Sequence, residues 1–217
     1  MKVKFKDFTI EYDVQYGKGQ KILLTMDSIG FVSIKVPQNT SQKTIVDFIT
    51  QHAEVIKQER KNISKEKDRF RAKTYGNEGK FLYLGKEFFL EDLIETKGLT
   101  EDELKINLRK FYILSCKKIV SQRVKIYQEQ LKVKPKGVEV DESKVRWGAC
   151  TSNKKITFNY RLAMAPLESI DYVVVHELCH LLHMNHERSF WRKVGSILPD
   201  YKKRKEYLQR YGATMTL

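Results

Sequence analysis

Four of the five histidines in the chain lie within one short stretch, at positions 176, 180, 183 and 186. His176, Glu177 and His180 form an HExxH pattern. On an α-helix, residues four apart lie ~40° and ~6 Å from each other, so two imidazoles can bind one zinc ion at ~2.0–2.1 Å. Glu177 is turned around the helix and can reach a water molecule on that metal. The pattern predicts a hydrolytic zinc centre with Glu177 as the general base.

The third ligand is less directly determined by the sequence. A catalytic zinc ion takes three protein ligands and keeps one position open. On a continued helix His186 would lie ~15 Å beyond His176, so it can bind only if the chain turns back. Met184–Asn185 offers such a turn, because asparagine tolerates the left-handed conformation found at helix ends. We predict that His186 is the third ligand, with His183 and Glu187 as the alternatives.

A hydrolase also needs groups that contact the substrate. A cation or a hydrogen-bond donor should stabilise the oxyanion, and four side chains qualify: Arg146, Tyr160, Tyr172 and Arg188. Among these we predict substrate contacts for Arg146, Tyr160 and Arg188. The segment Ile156–Tyr160 is predicted as a strand. It is either an edge strand to which an extended peptide can add or an ordinary core strand.

Composition and charge restrict the class of protein. The formal net charge is +14, from 41 Lys and Arg against 27 Asp and Glu. This excess favours either contact with nucleotides, nucleic acid or acidic proteins, or an ordinary solvated lysine-rich surface. It is densest over residues 57–73. No apolar run approaches ~18 residues, so no membrane span is expected. The three cysteines contain no CxxC pair, and no signal peptide is evident, so we expect a cytoplasmic protein.

Hydrophobic periodicity predicts an α+β fold. Residues 1–36 alternate between polar and apolar side chains, which is typical of strands, and residues 42–61 have the spacing of an amphipathic helix. Further along the chain we predict a hairpin at 81–90 and helices over 101–131, from Pro166 to about His183, 187–197 and 200–211. We place a β-rich N-terminal region with one helix at 1–99 and a catalytic domain at 100–217. The catalytic domain should contain an active-site helix beside a small mixed or antiparallel sheet.

Several of these segments together resemble a known family. The resemblance covers about residues 140–191, with the motifs Arg146–Cys150, Asn159–Leu162, Ala165–Pro166, Ile170–Leu181 and Asn185–His186 followed by Phe190–Trp191. They are similar to the YgjP-like metallopeptidase family of small zincins, which is related to the SprT-like proteases. The serine that usually follows the third histidine is replaced here by Glu187.

The resemblance implies a zincin-like α/β core with one zinc ion, or another divalent metal, on His176, His180 and His186. It also implies that Glu177 is the base. It does not determine the bond that is cleaved. A metallopeptidase acting on peptides or proteins is the main hypothesis. A metal-dependent nucleoside triphosphate pyrophosphohydrolase is the alternative, because that activity has been attributed to the family, and a nucleic-acid or complex-associated binding module is the second alternative.

Overall fold

The computed structural model describes residues 1–27, 29–70, 75, 79–143 and 145–217, and for residues 64–70 it describes the backbone alone. Helices and small sheets alternate through this part of the chain. The fold class is α+β, with a β-rich N-terminal region followed by a long helix and a small mixed sheet. This confirms the class predicted from hydrophobic periodicity.

The N-terminal sheet has four strands: β1 (Lys2–Lys4), β2 (Thr9–Gly17), β3 (Leu23–Met26) and β4 (Val32–Pro37). Their order is β1-β2-β4-β3, with β2 and β4 parallel and the other pairs antiparallel. Because side chains alternate between the two faces of a strand, one face of β2 buries apolar residues. The opposite face carries polar residues, several of which line the large cavity described below.

Two helices cover the apolar face of this sheet. They are α1 (Gln42–Gln51) and α2 (Ala53–Phe70), where a single helix over 42–61 was predicted. The interruption falls at His52, whose Nδ1 lies 2.8 Å from the Phe48 carbonyl oxygen and competes for it with the helix backbone. The predicted basic run at 57–73 lies largely on α2. Its residues 71–73, and the side chains of 64–70, are outside the described part of the structure.

A hairpin follows, made of β5 (Lys80–Tyr83) and β6 (Lys86–Phe89), and it leads into the short helix α3 (Leu90–Leu93). Both turn residues have positive φ, 49° at Leu84 and 78° at Gly85. Their amide groups donate hydrogen bonds to the carbonyls of Ala163 and Met164 at 2.8 and 3.0 Å. The hairpin therefore supports the segment that leads into the His176 helix.

The long helix α4 (Glu101–Leu131) has the bounds that the sequence predicts. It begins with the predicted capping box, in which Thr100 and Glu103 satisfy each other's backbone amides. Its buried residues recur every three or four positions along one stripe: Leu104, Leu108, Tyr112, Cys116, Val120, Val124, Tyr127 and Leu131. The C-terminal half of the chain packs against this stripe.

The second sheet has the strands β7 (Gly137–Asp141), β8 (Gly148–Cys150) and β9 (Lys155–Asn159). Strand β9 lies in the centre, parallel to β7 and antiparallel to β8. The segment Ile156–Tyr160 is thus a core strand and not the edge strand that was considered. The edge strand beside the histidines is β8, which consists of the last three residues of the Arg146–Cys150 motif.

The C-terminal half consists of α5 (Leu167–Cys179), α6 (Arg188–Ile197) and α7 (Tyr201–Tyr211). A 3-10 helix at Tyr160–Met164 precedes α5, and a second one at Gly212–Thr214 follows α7. The predicted helix from Pro166 to His183 ends earlier, at Cys179. The reason is that the amides of Leu181 and Leu182 bond to carbonyls three residues back instead of four, which tightens the chain into a turn.

Two clusters of buried apolar residues fill the protein. The smaller lies between the N-terminal sheet and α1–α2, and the larger surrounds α4 and α5. Phe81 and Leu90 of the hairpin region pack with the larger cluster. A division of the chain near residue 99 stays a proposal. Among the described residues, no helix combines the length and the apolar character needed to cross a bilayer.

An ion pair between α4 and α5 yields a stability prediction. Arg123 donates a hydrogen bond of 2.8 Å from Nη2 to Oδ2 of Asp171, whose side chain is 8% exposed. Arg123→Met should keep the helix propensity but leave this buried carboxylate only the more distant Arg204, whose Nη1 lies 3.9 Å from Oδ2. We expect a loss of about 2 kcal/mol in the free energy of unfolding, measured by urea denaturation.

Arg109→Met on the same helix is the matched control. Arg109 lies 3.5 Å from Glu142, and both side chains are about half exposed, so the loss should be below about 0.5 kcal/mol. Equal losses in the two variants would contradict a special role for the Arg123–Asp171 pair.

Candidate metal centre

Helix α5 supplies two of the three clustered histidines. It is buried along most of its length by α4, α6, α7 and β8. His176 lies in its last turn, and His180 follows the last helical residue with helical backbone angles, φ −66° and ψ −19°. Helical backbone geometry therefore continues through His180, so the two imidazoles still project from the same side of α5. Helix packing fixes the direction of this pair.

His186 reaches the pair from the irregular segment between α5 and α6. Its Nε2 lies 2.8 Å from Nε2 of His176, which in turn lies 3.2 Å from Nε2 of His180. The potential ligand atoms of all three residues lie within 4.8 Å of one another. Nitrogens bound to one zinc ion at ~2.0–2.1 Å in tetrahedral geometry stand about 3.3 Å apart. The spacing of the three imidazoles therefore fits a shared metal ion.

The ionisation of these imidazoles also suits a metal site. Burial, and then the neighbouring imidazoles, lower the pKa of His176 well below its ordinary value. Burial and His186 lower the pKa of His180 to about 4. Both rings are neutral at neutral pH, which is the form that binds metals. Nitrogens about 3 Å apart can share a proton between two of them or a cation among all three, and a metal ion would use a lone pair of each ring.

The outer ring nitrogens have different partners. Nδ1 of His180 lies 3.1 Å from the carbonyl oxygen of His183, so His183 contributes its backbone while its ring is absent from the triad. Nδ1 of His186 lies 2.6 Å from Oδ1 of Asp13, in a close polar contact whose angle is not that of an aligned hydrogen bond. The sequence reasoning missed Asp13. The signal available was its position at a polar site of the alternating strand β2.

Glu177 is buried beside this triad and is 5% exposed. Burial, followed by the negative charge of Asp13, raises the pKa of its carboxyl to about 8, and Arg146 opposes that shift. Strand β8 passes very close, since a Cβ on Gly148 would lie 2.8 Å from both Cγ and Oε1 of Glu177. Only a glycine leaves room at this point for the carboxyl group in its observed position.

A cavity of about 850 Å³ opens over the triad. The N-terminal sheet forms one wall, and β8, α5 and α7 form the others. Its charged or polar lining includes Glu11, Asp13, Asp27, Arg146, Tyr172, Glu177 and Lys205. Arg146, one of the predicted substrate contacts, lies within it and pairs with Glu11 at 2.8 Å and Asp141 at 3.7 Å.

The other two predicted substrate contacts lie elsewhere. Tyr160 begins the 3-10 helix, is buried, and is not among the described residues that line the large cavity. Arg188 lines a neighbouring cavity of about 520 Å³, which shares Gln15, His186 and Trp191 with the first. The charged side chains of this second cavity, apart from the shared histidine, are Lys18, Lys21, Lys35 and Arg188. Tyr172, weighed earlier as a candidate, lines the large cavity.

The triad predicts which histidines matter for metal binding. Zinc titration of the metal-free protein should give about one bound ion per chain. His186→Ala should lower the affinity more than about 100-fold, beyond the effect usual for an outer-shell residue. His183→Ala is the matched control and should bind as the wild type does, because only its backbone carbonyl contacts the triad. Equal affinities of His186→Ala and the wild type would contradict the assignment.

The buried Glu177 predicts a pH dependence of stability in the metal-free protein. Its pKa is about 8 in the folded chain against an ordinary 4.5, so the folded state holds a proton that the unfolded state releases between these values. Stability must therefore fall as the pH rises through this window. Glu177→Gln removes that contribution, so its stability advantage over the wild type should grow with pH.

Denaturant unfolding at several pH values between about 5 and 8 measures this difference. Glu187→Gln, which changes an exposed carboxylate at the start of α6, should show a constant difference. A pH-independent advantage of Glu177→Gln would contradict the raised pKa.

The comparison with known proteins agrees with this geometry. A family model described as YgjP-like, metallopeptidase domain, matches residues 20–211. No curated protein gives a significant match. The matched range includes the histidine triad and Glu177, and it begins after Asp13. It confirms the resemblance inferred from residues 140–191 and indicates a metal-dependent hydrolase. The chain belongs to the YgjP-like family of metallopeptidase domains.

Proposed function

We propose that the protein is a zinc-dependent metallopeptidase that holds one zinc ion, or another divalent metal, on His176, His180 and His186. The observation that carries this proposal is the convergence of three imidazoles beside a buried carboxyl group at the base of an open cavity. A site with this composition has the ligands and the general base of a zinc hydrolase. Peptides or proteins are the substrate class suggested by the family.

Glu177 is the proposed general base. A zinc ion at this site would supply Lewis-acid chemistry toward water and toward a carbonyl oxygen. Glu177 accepts the proton of the attacking water and passes it to the leaving amine. Burial suits both roles, because a carboxyl whose pKa is near the working pH can accept and then donate a proton.

Two cavity residues are positioned for contact with the substrate. Arg146 is held by Glu11 and Asp141 and carries a positive charge into the cavity. Tyr172 is buried against His176, with ring centroids 5.7 Å apart, and burial raises its pKa so that the phenol stays protonated and can donate a hydrogen bond. We propose these two, ahead of Tyr160 and Arg188, as stabilisers of the oxyanion.

The edge strand β8 is the proposed binding site for an extended peptide backbone. It pairs with β9 on one side, and no other described strand pairs with its opposite side. Gly148, Ala149 and Cys150 all line the cavity. A peptide could therefore add to the sheet through main-chain hydrogen bonds, with its scissile bond near Glu177.

The alternative function, a metal-dependent nucleoside triphosphate pyrophosphohydrolase, has one observation in its favour. The second cavity adjoins His186, and its charged side chains beyond that histidine are cations. None of these lysines or Arg188 forms an ion pair among the described residues, so they are available to phosphate groups. The family match gives no support to a nucleic-acid-binding role.

One experiment separates the two hydrolase functions. Zinc-loaded protein is incubated with a peptide library and, separately, with a panel of nucleoside triphosphates, each alongside Glu177→Gln. We expect peptide cleavage that falls by at least about 100-fold in the variant, the scale of general acid–base catalysis. Glu177-dependent pyrophosphate release without peptide cleavage would favour the alternative and contradict the proposal.

Gly148→Ala tests the role of the Glu177 carboxyl without changing a metal ligand. Its methyl group would displace the Glu177 carboxyl without touching a histidine, so zinc affinity should remain while kcat falls. Gly137→Ala, in β7 of the same sheet, is the control: its added methyl group would meet only Lys155 Cγ, at an ordinary 3.7 Å, so most of the activity should remain. Loss of zinc together with activity in Gly148→Ala would mean that the whole site is disturbed.

A further inference from the structure

Strand β2 points two carboxylates at the catalytic half of the chain. Because side chains alternate along a strand, Glu11 and Asp13 share one face while Ile10, Tyr12 and Val14 are buried on the other. Glu11 pairs with Arg146 at 2.8 Å, and Asp13 contacts His186 at 2.6 Å. The N-terminal sheet thus contacts two different residues of the cavity through alternate positions of one strand.

His186 needs such support more than the other two histidines. His176 and His180 are held by α5, whereas His186 belongs to the segment between α5 and α6, which has no regular structure. Phe190 and Trp191 pack against its ring, with centroid separations of 4.4 and 5.4 Å. These apolar contacts limit where the ring can lie, but only a polar partner can favour the orientation that presents Nε2 to the triad.

We propose that Asp13 is a positioning residue for the metal centre, which holds Nδ1 of His186 and thereby directs Nε2 toward His176 and His180. The proposal rests on the metal site of the proposed function and adds to it a residue from the N-terminal sheet. Asp13 precedes the residues that the family model matches. A carboxylate on the outer nitrogen of a ligating histidine fixes the ring and strengthens the ligand.

Zinc affinity tests this role without any substrate. Asp13→Asn keeps the shape of the side chain and removes its charge, and it should lower the affinity about 10–100-fold in a competition titration against a chelating dye. Glu11→Gln removes a charge from the same face of the same strand but contacts no histidine, so its affinity should match the wild type. Equal affinities of Asp13→Asn and the wild type would overturn the proposal.

A double-variant cycle separates positioning from a general effect of charge. If Asp13 acts through His186, then Asp13→Asn should change nothing further in a His186→Ala background. An undiminished loss in that background would show that the carboxylate acts on the metal through space, and it too would overturn the proposal. The visible absorption spectrum of the cobalt-substituted protein should change in Asp13→Asn and stay unchanged in Glu11→Gln.

Separate controls test whether the variants fold and whether the proposed function holds. Circular dichroism of the metal-free variants checks the fold, and Asp13→Ser replaces Asp13→Asn if the latter does not fold. Wild-type protein that binds no zinc would contradict the proposed function as a whole. Tight zinc binding by both the wild type and Asp13→Asn would contradict the role of Asp13 and leave the proposed function standing.

Discussion

The structure depends on one electrostatic constraint, the close approach of three imidazoles at the base of the large cavity. Nitrogen atoms 2.8 and 3.2 Å apart repel one another unless a proton or a cation lies between them. Burial makes protonation of these rings unfavourable, as the lowered pKa values of His176 and His180 show. The packing of α4, α5 and α6 therefore holds the rings in an arrangement that a divalent cation would stabilise.

The long helix α4 and the small sheet provide the rigidity that this arrangement requires. The buried stripe of α4 packs against α5 and the 3-10 helix, and the hairpin turn donates two hydrogen bonds to the same 3-10 helix. On the opposite side, the N-terminal sheet contributes a polar wall. The site therefore lies between the helices α4 and α5 on one side and the N-terminal sheet on the other. That sheet packs with its own cluster of buried residues.

The sequence predicted the parts of the site whose spacing is local. His176, Glu177 and His180 follow directly from helix periodicity, and α4 follows from its stripe and its capping box. The contact of Asp13 with His186 joins residues 173 positions apart, and no periodicity relates them. The helix end at Cys179 was also missed. The amides of Leu181 and Leu182 bond there to carbonyls three residues back, and the contact between the His183 carbonyl and the His180 ring exists only after that turn has formed.

The close packing of Gly148 against Glu177 restricts the length of the turn that follows β8. The turn after β8 is short, with Thr151 and Lys155 joined by a 2.9 Å hydrogen bond and Lys154 at a φ of 62°. It sets the register in which Gly148 pairs with Phe158 and Ala149 with Thr157. A slip of one residue exchanges the two faces of a strand and would replace Gly148, opposite the carboxyl group, by Ala149 or Trp147, according to its direction. Insertions and deletions in residues 151–154 should therefore be tolerated far less than their exposed position suggests.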